Sequence, residues 1–465
     1  MTRLMVLLAC WFLSVTASWA QFPQPASSTS TAPYPPVLLT TYVYQQPRPL
    51  RAWSVRIDLT HPDIEFVVTP PAPVDPGWDT RSQTTLDFAK EQQVQLAINA
   101  SPFEPLRQKG GEPMHIVGLH LTRGLQLANQ RLNEDMGAML IDGENRVKLL
   151  NYPLAAGDLA KARHGLGGFS MVLLDGKPML SQERSALPAK HPRTAVGLSE
   201  KGRYLWWLIV DGRQEGKSEG LTYKELGEWG ASLGITDLLN LDGGGSTTLV
   251  LQDPKSKGYE VMNTPVGKGP PGSLRFNGNN LGLRLYTEPH DLTLKQLQAI
   301  MPHLPVAKAK LFLGPLNRTM TEHEINTPLR RAAFLAQLAH ESGELRYMEE
   351  IASGEAYEGR ASLGNTEPGD GKRYKGRGPI QLTGRYNYRQ AGKDMGLDLE
   401  EHPEKATDPE TGCRIAGWFW NTRKLNALAD AGDFTAITRK INGGLNGQAQ
   451  RLLYYRKAKD VFSVK

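Results

Sequence analysis

The hydrophobic pattern of this chain changes period once, near residue 290, and a 465-residue chain with one such change resolves into two domains. Before the change the pattern is mostly that of strands. Trp53-Ser54-Val55-Arg56-Ile57-Asp58-Leu59 alternates apolar and polar residues, as a half-buried strand does. Gly137 to Asp142 and Arg146 to Leu150 read as a hairpin turning over 142–145. Leu205 to Val210 is a continuous apolar run, the mark of a strand buried on both faces. One helix interrupts: Thr222 and Glu225 make a capping box, Leu226 and Trp229 share a face, and Gly234 stops it. From Asp291 the period is helical, with Leu292, Leu294, Leu297 and Ile300 as the first apolar positions. The expected architecture is an α+β domain over 37–288, mostly β with a few helices, then a mainly α domain over 289–465. No internal repeat is visible.

Residues 1–20 read as an export signal: Arg3 at the start, an apolar stretch from Met5 to Val15, and Ser18-Trp19-Ala20 as the cleavage pattern. A lipid anchor at Cys10 is disfavoured because the apolar run continues past it. Residues 21–36, rich in Pro, Ser and Thr, read as a disordered leader. No later stretch is long and apolar enough for a membrane helix, so the expected location is secreted or periplasmic. Cleavage removes Cys10 and leaves Cys413 alone, so no intramolecular disulfide can form, and a buried, inert thiol is expected at Cys413. The net charge of +6 suits a polyanionic surface such as a cell wall, and suits plain solubility equally well. There is no long basic block that would argue for nucleic acid, and a monomer is expected.

Thr327-Pro328 marks a helix start, with Thr as N-cap and Pro in the first turn, and Gly343 marks its stop. Phe334, Leu338 and Glu341 stand at i, i+4 and i+7, so Glu341 extends an apolar stripe. A carboxyl there loses hydration and favours its protonated form, the state a general acid needs. Alone, a helix-end Glu would be a solvent or salt-bridge residue. It is accompanied here by Glu350, by Tyr374 to Thr383, by Asn387 and by Ile441-Asn442-Gly443-Gly444. Two carboxyls, a hydroxyl and carboxamides in one fold are what glycosidic hydrolysis requires.

The region from about Asp291 to the C-terminus resembles family 19 glycoside hydrolases, the chitinases and related lysozyme-like wall enzymes. The resemblance rests on Phe334 to Gly343, Ala356 to Arg360, Tyr374 to Thr383, Asn387-Tyr388 and 441–444. It implies a lysozyme-like helical fold and an inverting two-glutamate mechanism with no cofactor. By position Glu341 matches the general acid and Glu350 the base, with Glu358 as a rival in a Gly-bounded loop. Thr383 matches the hydroxyl that holds the water, Gln381, Asn387 and Asn442 match substrate-binding amides, and Arg451 matches a residue that orients the carboxylates. Glu344 stands where the family usually has Gly. Lys372, Arg373, Lys375 and Arg377 form a basic cluster that could meet anionic polymer or simply be solvated, with Arg377 pairing a catalytic carboxylate.

The N-terminal half carries Asp242-Gly243-Gly244-Gly245-Ser246 after the apolar strand Leu238 to Leu241. Three glycines can turn tightly and offer N–H groups to an anion, although a mere tight turn has the same signature. Together with Asn99 to Phe103, His191 to Gly197, Val210 to Gln214 and Ser218 to Gly220, the segment resembles the phosphodiester glycosidase family. That resemblance implies cleavage of a sugar-1-phosphodiester. Arg193 and Arg213 would clamp the phosphate, with Ser246 and the glycine amides in support. Asp211, Glu219 and Asp242 are the candidate acids, bases or metal ligands, and a divalent metal is left open. Asn99 and Asn263 would meet sugar hydroxyls or serve as turn residues, and His191 beside Pro192 is a histidine to watch. The combined expectation is an exported hydrolase of N-acetylglucosamine polymers, chitin or peptidoglycan, with a second site for a phosphodiester. The alternative makes the N-terminal half a non-catalytic wall-binding module, a reading favoured if its three carboxylates scatter.

Overall fold

The computed structural model describes residues 22–72, 74–129, 136–180, 187–267, 269–286 and 291–464. The export signal at 1–20 and the domain boundary at 288/289 fall outside the described residues.

The N-terminal domain is built on an eight-stranded antiparallel sheet in the order Ser27–Tyr34, Val37–Tyr44, Leu50–Asp58, Tyr204–Val210, Arg193–Ser199, Asp237–Asn240, Ser170–Leu174 and Lys177–Pro178. The first of these strands corrects the leader expected at 21–36. Ser27–Tyr34 is mostly exposed, but its backbone is paired along Val37–Tyr44 from Ser27↔Val43 onward. The compositional signature of disorder reflected an exposed edge strand, whose side chains need not be apolar.

Tyr204–Val210 shows why the apolar run matters. Leu205, Trp207 and Ile209 join a core shared with Phe66, Ile98 and Leu281 of a second five-stranded sheet and with Met139 and Ile141 of a third. Trp206, Leu208 and Val210 point the other way, into a cluster with Leu226 and Trp229 of the helix Tyr223–Ser232. That helix has the capping box of Thr222 and Glu225, and Gly234 beyond it has φ +81°. Leu50–Asp58 is more buried than an alternating strand should be. It lies between Val37–Tyr44 and Tyr204–Val210, and its buried Ser54 is satisfied by the Tyr42 hydroxyl 3.1 Å away. The hairpin pairs Gly137–Asp142 with Val147–Asn151.

The C-terminal domain is helical from Leu294–Ile300 to Gln448–Val461. Pro328–Glu341 runs through its core with Phe334, Leu335 and Leu338 fully buried, and Phe334 meets Trp420 edge-on at 5.3 Å. Thr327 caps it by accepting from the Arg330 amide, Ser342 is the C-cap and Gly343 has φ +55°. Cys413 is buried, and burial pushes its thiol well above the usual range. Among the described residues no helix is long and apolar enough to cross a membrane.

Candidate active sites

Glu341 is the last residue of Pro328–Glu341, at the carbonyl end of the helix, where a negative charge is disfavoured. Its side chain is 16% exposed, and burial raises its pKa, while Arg451 Nη2 at 2.6 Å pulls it back. Arg451 is itself fully buried and oriented on three sides, by Glu341, by Gln337 Oε1 one turn back on the same helix, and by the Asn446 carbonyl at 3.1 Å.

Glu350 follows in the loop beyond. Its Oε1 accepts from the Tyr357 hydroxyl at 2.9 Å and its Oε2 from the Gly376 amide at 3.1 Å. Gly376 leaves room at this point: a Cβ there would stand 2.8 Å from Gln381 Oε1, 3.2 Å from Glu350 Oε2 and 3.3 Å from Thr383 Oγ1. The same three atoms therefore surround one small volume. Thr383 donates to the Gln381 carbonyl and Asn387 Nδ2 to the Thr383 carbonyl, which ties the polar floor together. Gln381 has φ +54°, a strained backbone held at the centre of the site. Glu341, Glu350, Gln381, Thr383, Asn387 and Asn442 all line one cleft of about 480 Å³.

Two expectations for this domain are corrected. Glu358 does not line the cleft. Its carboxylate accepts from the amides of Gly369 at 2.6 Å and Gly371 at 2.8 Å, fastening a loop. Arg377 pairs with Glu349 at 3.0 Å and not with Glu350, and Lys375 reaches Glu349 at 3.3 Å. Lys372 and Arg373 are likewise spent on Glu355 and Glu401. Glu344 has a left-handed backbone, at φ +64°, the region that favours glycine. Its carboxylate accepts from the His303 amide at 2.6 Å and the Tyr454 hydroxyl at 2.8 Å, bonds that offset the strain. Sequence reasoning missed Tyr357 as a partner of Glu350, although the residue lay within a quoted motif.

In the N-terminal domain the antiparallel register gathers one end of the main sheet. Arg193 opens its strand opposite Val210, and Asn240 closes its strand opposite Ala195 and Ser170. The segments that precede Arg193 and Ser170, and those that follow Val210 and Asn240, therefore emerge together. A pocket of about 240 Å³ forms there, lined by His191, Arg193, Arg213, Tyr223, Asp242 and Arg275, with Phe169, Asn240 and Gly243–Gly245. Burial pushes the Asp242 carboxyl up to about 6, against the Ser246 hydrogen bond and the charges of Arg275 and Arg213. His191 Nδ1 accepts from Arg213 Nη2 at 3.1 Å, and burial beside Arg213 and Arg193 holds the imidazole below its usual range. The Arg193 guanidinium lies 4.0 Å over the Tyr223 ring and Nε donates to the Leu221 carbonyl.

Of the three carboxylates, Asp242 alone lines this pocket. Asp211, 2% exposed, accepts from Asn263 Nδ2 and the Thr264 amide, both at 3.1 Å, and pins that loop segment. Glu219 lies outside, held by Lys190 at 3.0 Å and Arg48 at 3.8 Å. Asn99 and Asn263 are staples: Asn99 donates to the Asp242 carbonyl and accepts from Thr194 and the Thr248 amide, and Asn263 accepts from the Leu249 amide. The glycines also act differently from the anion nest expected. The Gly244 amide is spent on the Pro192 carbonyl at 2.9 Å. A Cβ on Gly244 would stand 3.1 Å from Arg213 Nη2, and one on Gly245 2.2 Å from Arg275 Nη2, so the run makes room for two guanidiniums. Arg275, which also donates to Ser246 Oγ at 3.3 Å, belongs to no motif and was invisible in the sequence. One carboxylate among three guanidiniums is a donor set for an anion and does not fit a divalent cation. Among the described residues no cluster of three or more His, Cys, Asp or Glu could hold a metal. A larger cleft of about 580 Å³ at the domain junction is lined by Arg284 and Arg318, which already bind Glu65.

Comparison with known proteins places both halves. The phosphodiester glycosidase family matches residues 92–283, and the family described as chitinase class I matches 319–431. An endochitinase of Arabidopsis thaliana is 47% identical over 114 residues, 24% of this chain and 38% of that protein. A glycosyl hydrolase family 19 domain-containing protein of Haemophilus influenzae is 32% identical over 159 residues, 28% of this chain and 78% of that protein. The chain spans less than half the length of the plant endochitinases it matches. Among solved structures, the catalytic domain of zebrafish N-acetylglucosamine-1-phosphodiester alpha-N-acetylglucosaminidase aligns with a TM-score of 0.43 at 17% identity, over 56% of this chain and 87% of that one. The chain belongs to glycosyl hydrolase family 19 through its helical C-terminal domain, which is joined to an N-terminal domain that the phosphodiester glycosidase family model matches over 92–283.

Proposed function

We propose that this protein is an exported hydrolase of wall polymers with one reaction in each domain. The C-terminal domain cuts β-1,4 bonds between N-acetylated sugars with inversion. Glu341, neutral, gives its proton to the glycosidic oxygen, and Glu350 takes one from the water that attacks the anomeric carbon, with Thr383 helping to hold that water. Gln381, Asn387 and Asn442 bind the sugar, and Arg451 orients Glu341. The observation that carries this reading is the convergence of two glutamates of unlike setting on one cleft, one desolvated at a helix end, the other fixed by a hydroxyl and an amide. Product analysis on chitin hexamer and purified peptidoglycan tests it. Cleavage of at least one with an inverted product anomer is expected, and folded protein that cuts neither contradicts it.

In the N-terminal domain Arg193, Arg213 and Arg275 hold the phosphate of a sugar-1-phosphodiester. A leaving phosphate held by three guanidiniums needs no added proton. That leaves Asp242 to take a proton from the attacking water, so this reaction should speed up as pH rises through about 6. A second reading is favoured by the positions of Asp211 and Glu219 away from the pocket: a domain that binds anionic sugar and delivers the C-terminal enzyme. Release of phosphomonoester from a sugar-1-phosphodiester separates the two, since the binding reading expects saturable binding without turnover.

A further inference from the structure

Two arginines in the C-terminal cleft have no counter-ion among the described residues. Arg360 and Arg423 line it together with Glu341 and Glu350, and among the described residues neither forms an ion pair. Other arginines around them are matched, Arg330 with Asp430, Arg373 with Glu401, Arg377 with Glu349, and Arg385 and Arg389 with Glu400, while Arg346, Arg414, Arg439 and Arg456 form no ion pair among the described residues but do not line the cleft. The Arg423 guanidinium stands 3.4 Å over the Phe419 ring, and its Nη1 donates to the Thr422 hydroxyl at a long 3.4 Å, so that its other N–H groups remain to meet a ligand. Arg360 sits 5.4 Å from the ring of Tyr357, the residue that holds Glu350. Burial lowers the Arg423 pKa with no acidic group to offset it, so the cation is partly desolvated and uncompensated. Lys440, which donates to the Arg423 carbonyl at 3.4 Å, adds positive charge beside it.

A neutral polymer entering the cleft would strip more water from these cations and return only hydroxyl and amide contacts. A carboxylate would restore the lost hydration with a charge-assisted, two-point hydrogen bond, which the planar guanidinium is shaped to make. We propose that Arg360 and Arg423 select a carboxylate-bearing N-acetylated glycan, the chemistry of a bacterial wall with its lactyl and peptide acids, over neutral chitin. This rests on the reading of the cleft as the family 19 hydrolytic site.

The test uses the purified full chain and three substrates: native wall glycan, the same glycan after carbodiimide amidation of its carboxyls, and chitin hexamer. The wild type should show kcat/KM on the native glycan about tenfold or more above the amidated form, as expected from one or two charge-assisted hydrogen bonds. Added salt should shrink that ratio. In the double variant Arg360→Gln/Arg423→Gln the ratio should fall to about one, and Arg360→Lys/Arg423→Lys should restore part of it. A wild-type ratio near one overturns the proposal, as does a ratio that survives the double glutamine variant. The salt dependence of the wild type decides the matter even where a variant fails to fold, since a salt-independent ratio also counts against it. If the wild type cuts none of the three, the hydrolytic reading itself falls and takes this inference with it; cleavage without preference removes only the inference.

Discussion

Glu341 is under two opposed influences, burial at the end of an apolar stripe and the Arg451 guanidinium at 2.6 Å. Burial favours the proton, and the cation favours its loss. Replacing Arg451 by Gln removes the second influence, so the Glu341 pKa should rise and the alkaline limb of the C-terminal pH–rate profile should move to higher pH. An unmoved limb would detach Arg451 from the acid. Asp242 offers the complementary case in stability. Its folded value of about 6 exceeds the usual 3.8, so its contribution to stability is full below pH 3.8 and is lost as pH rises through 6. The ionised side chain then costs up to about 3 kcal/mol. Asp242→Asn should therefore be close to wild type in denaturant midpoint at pH 4 and more stable at pH 8, while its phosphodiester reaction is lost. An equal difference at both pH values would show that the carboxyl is not desolvated.

At the scale of the element, local signals were legible and distant ones were not. The Thr327 cap, the Gly343 stop and the Phe334–Leu338–Glu341 stripe are settled within one helix, and the structure keeps all of them. So is the Thr222 and Glu225 box. Asn99, Asp211 and Asn263 looked like site residues because a buried polar residue in a conspicuous motif looks the same whether it meets substrate or a strand. Their partners are remote: Asn99 meets the Asp242 carbonyl 143 positions away, and Asp211 meets Asn263 52 positions away. Arg275 was missed for the mirror reason, a pocket-lining position with no local pattern. The glycine run was recognised, but its purpose depends on side chains that arrive from elsewhere. Gly245→Ala would drive a Cβ into Arg275, 2.2 Å away, and should weaken binding of a phosphodiester to the N-terminal pocket by about tenfold or more while leaving the C-terminal reaction intact. Isothermal titration with a sugar-1-phosphodiester checks it, and unchanged affinity would mean Arg275 plays no part.

Across the whole molecule the two domains are fastened by a buried ionic cluster. Glu65 of Ile64–Val68 meets Arg284 at 2.7 Å, Arg318 at 2.9 Å and Arg163 at 3.9 Å, and accepts from the Tyr286 hydroxyl. Arg318, on Val306–Glu322, also pairs with Glu410, which Arg123 approaches at 3.8 Å. Gly314 admits Glu65, since a Cβ there would stand 2.4 Å from Oε1. Burial opposes ionisation of Glu65, yet Arg318, Arg284 and Arg163 hold its carboxyl well below the usual range. The stability this gives is present above the ordinary carboxylate pKa and is lost as pH falls through the depressed one. Glu65→Gln would leave four guanidiniums facing Glu410 alone and should cost about 3–5 kcal/mol. Calorimetry should show a lower Tm, and an unchanged Tm would mean the cluster does not hold the domains together.

The proposed pair of hydrolytic sites makes a crossed prediction. Wild type, Glu341→Gln and Asp242→Asn are assayed side by side, each on an N-acetylated β-1,4 glycan and on a sugar-1-phosphodiester. Glu341→Gln should lose about 10²- to 10⁴-fold on the glycan and keep phosphodiester turnover, and Asp242→Asn should do the reverse. A variant that leaves its own reaction untouched, or that abolishes both while folded, would contradict the account.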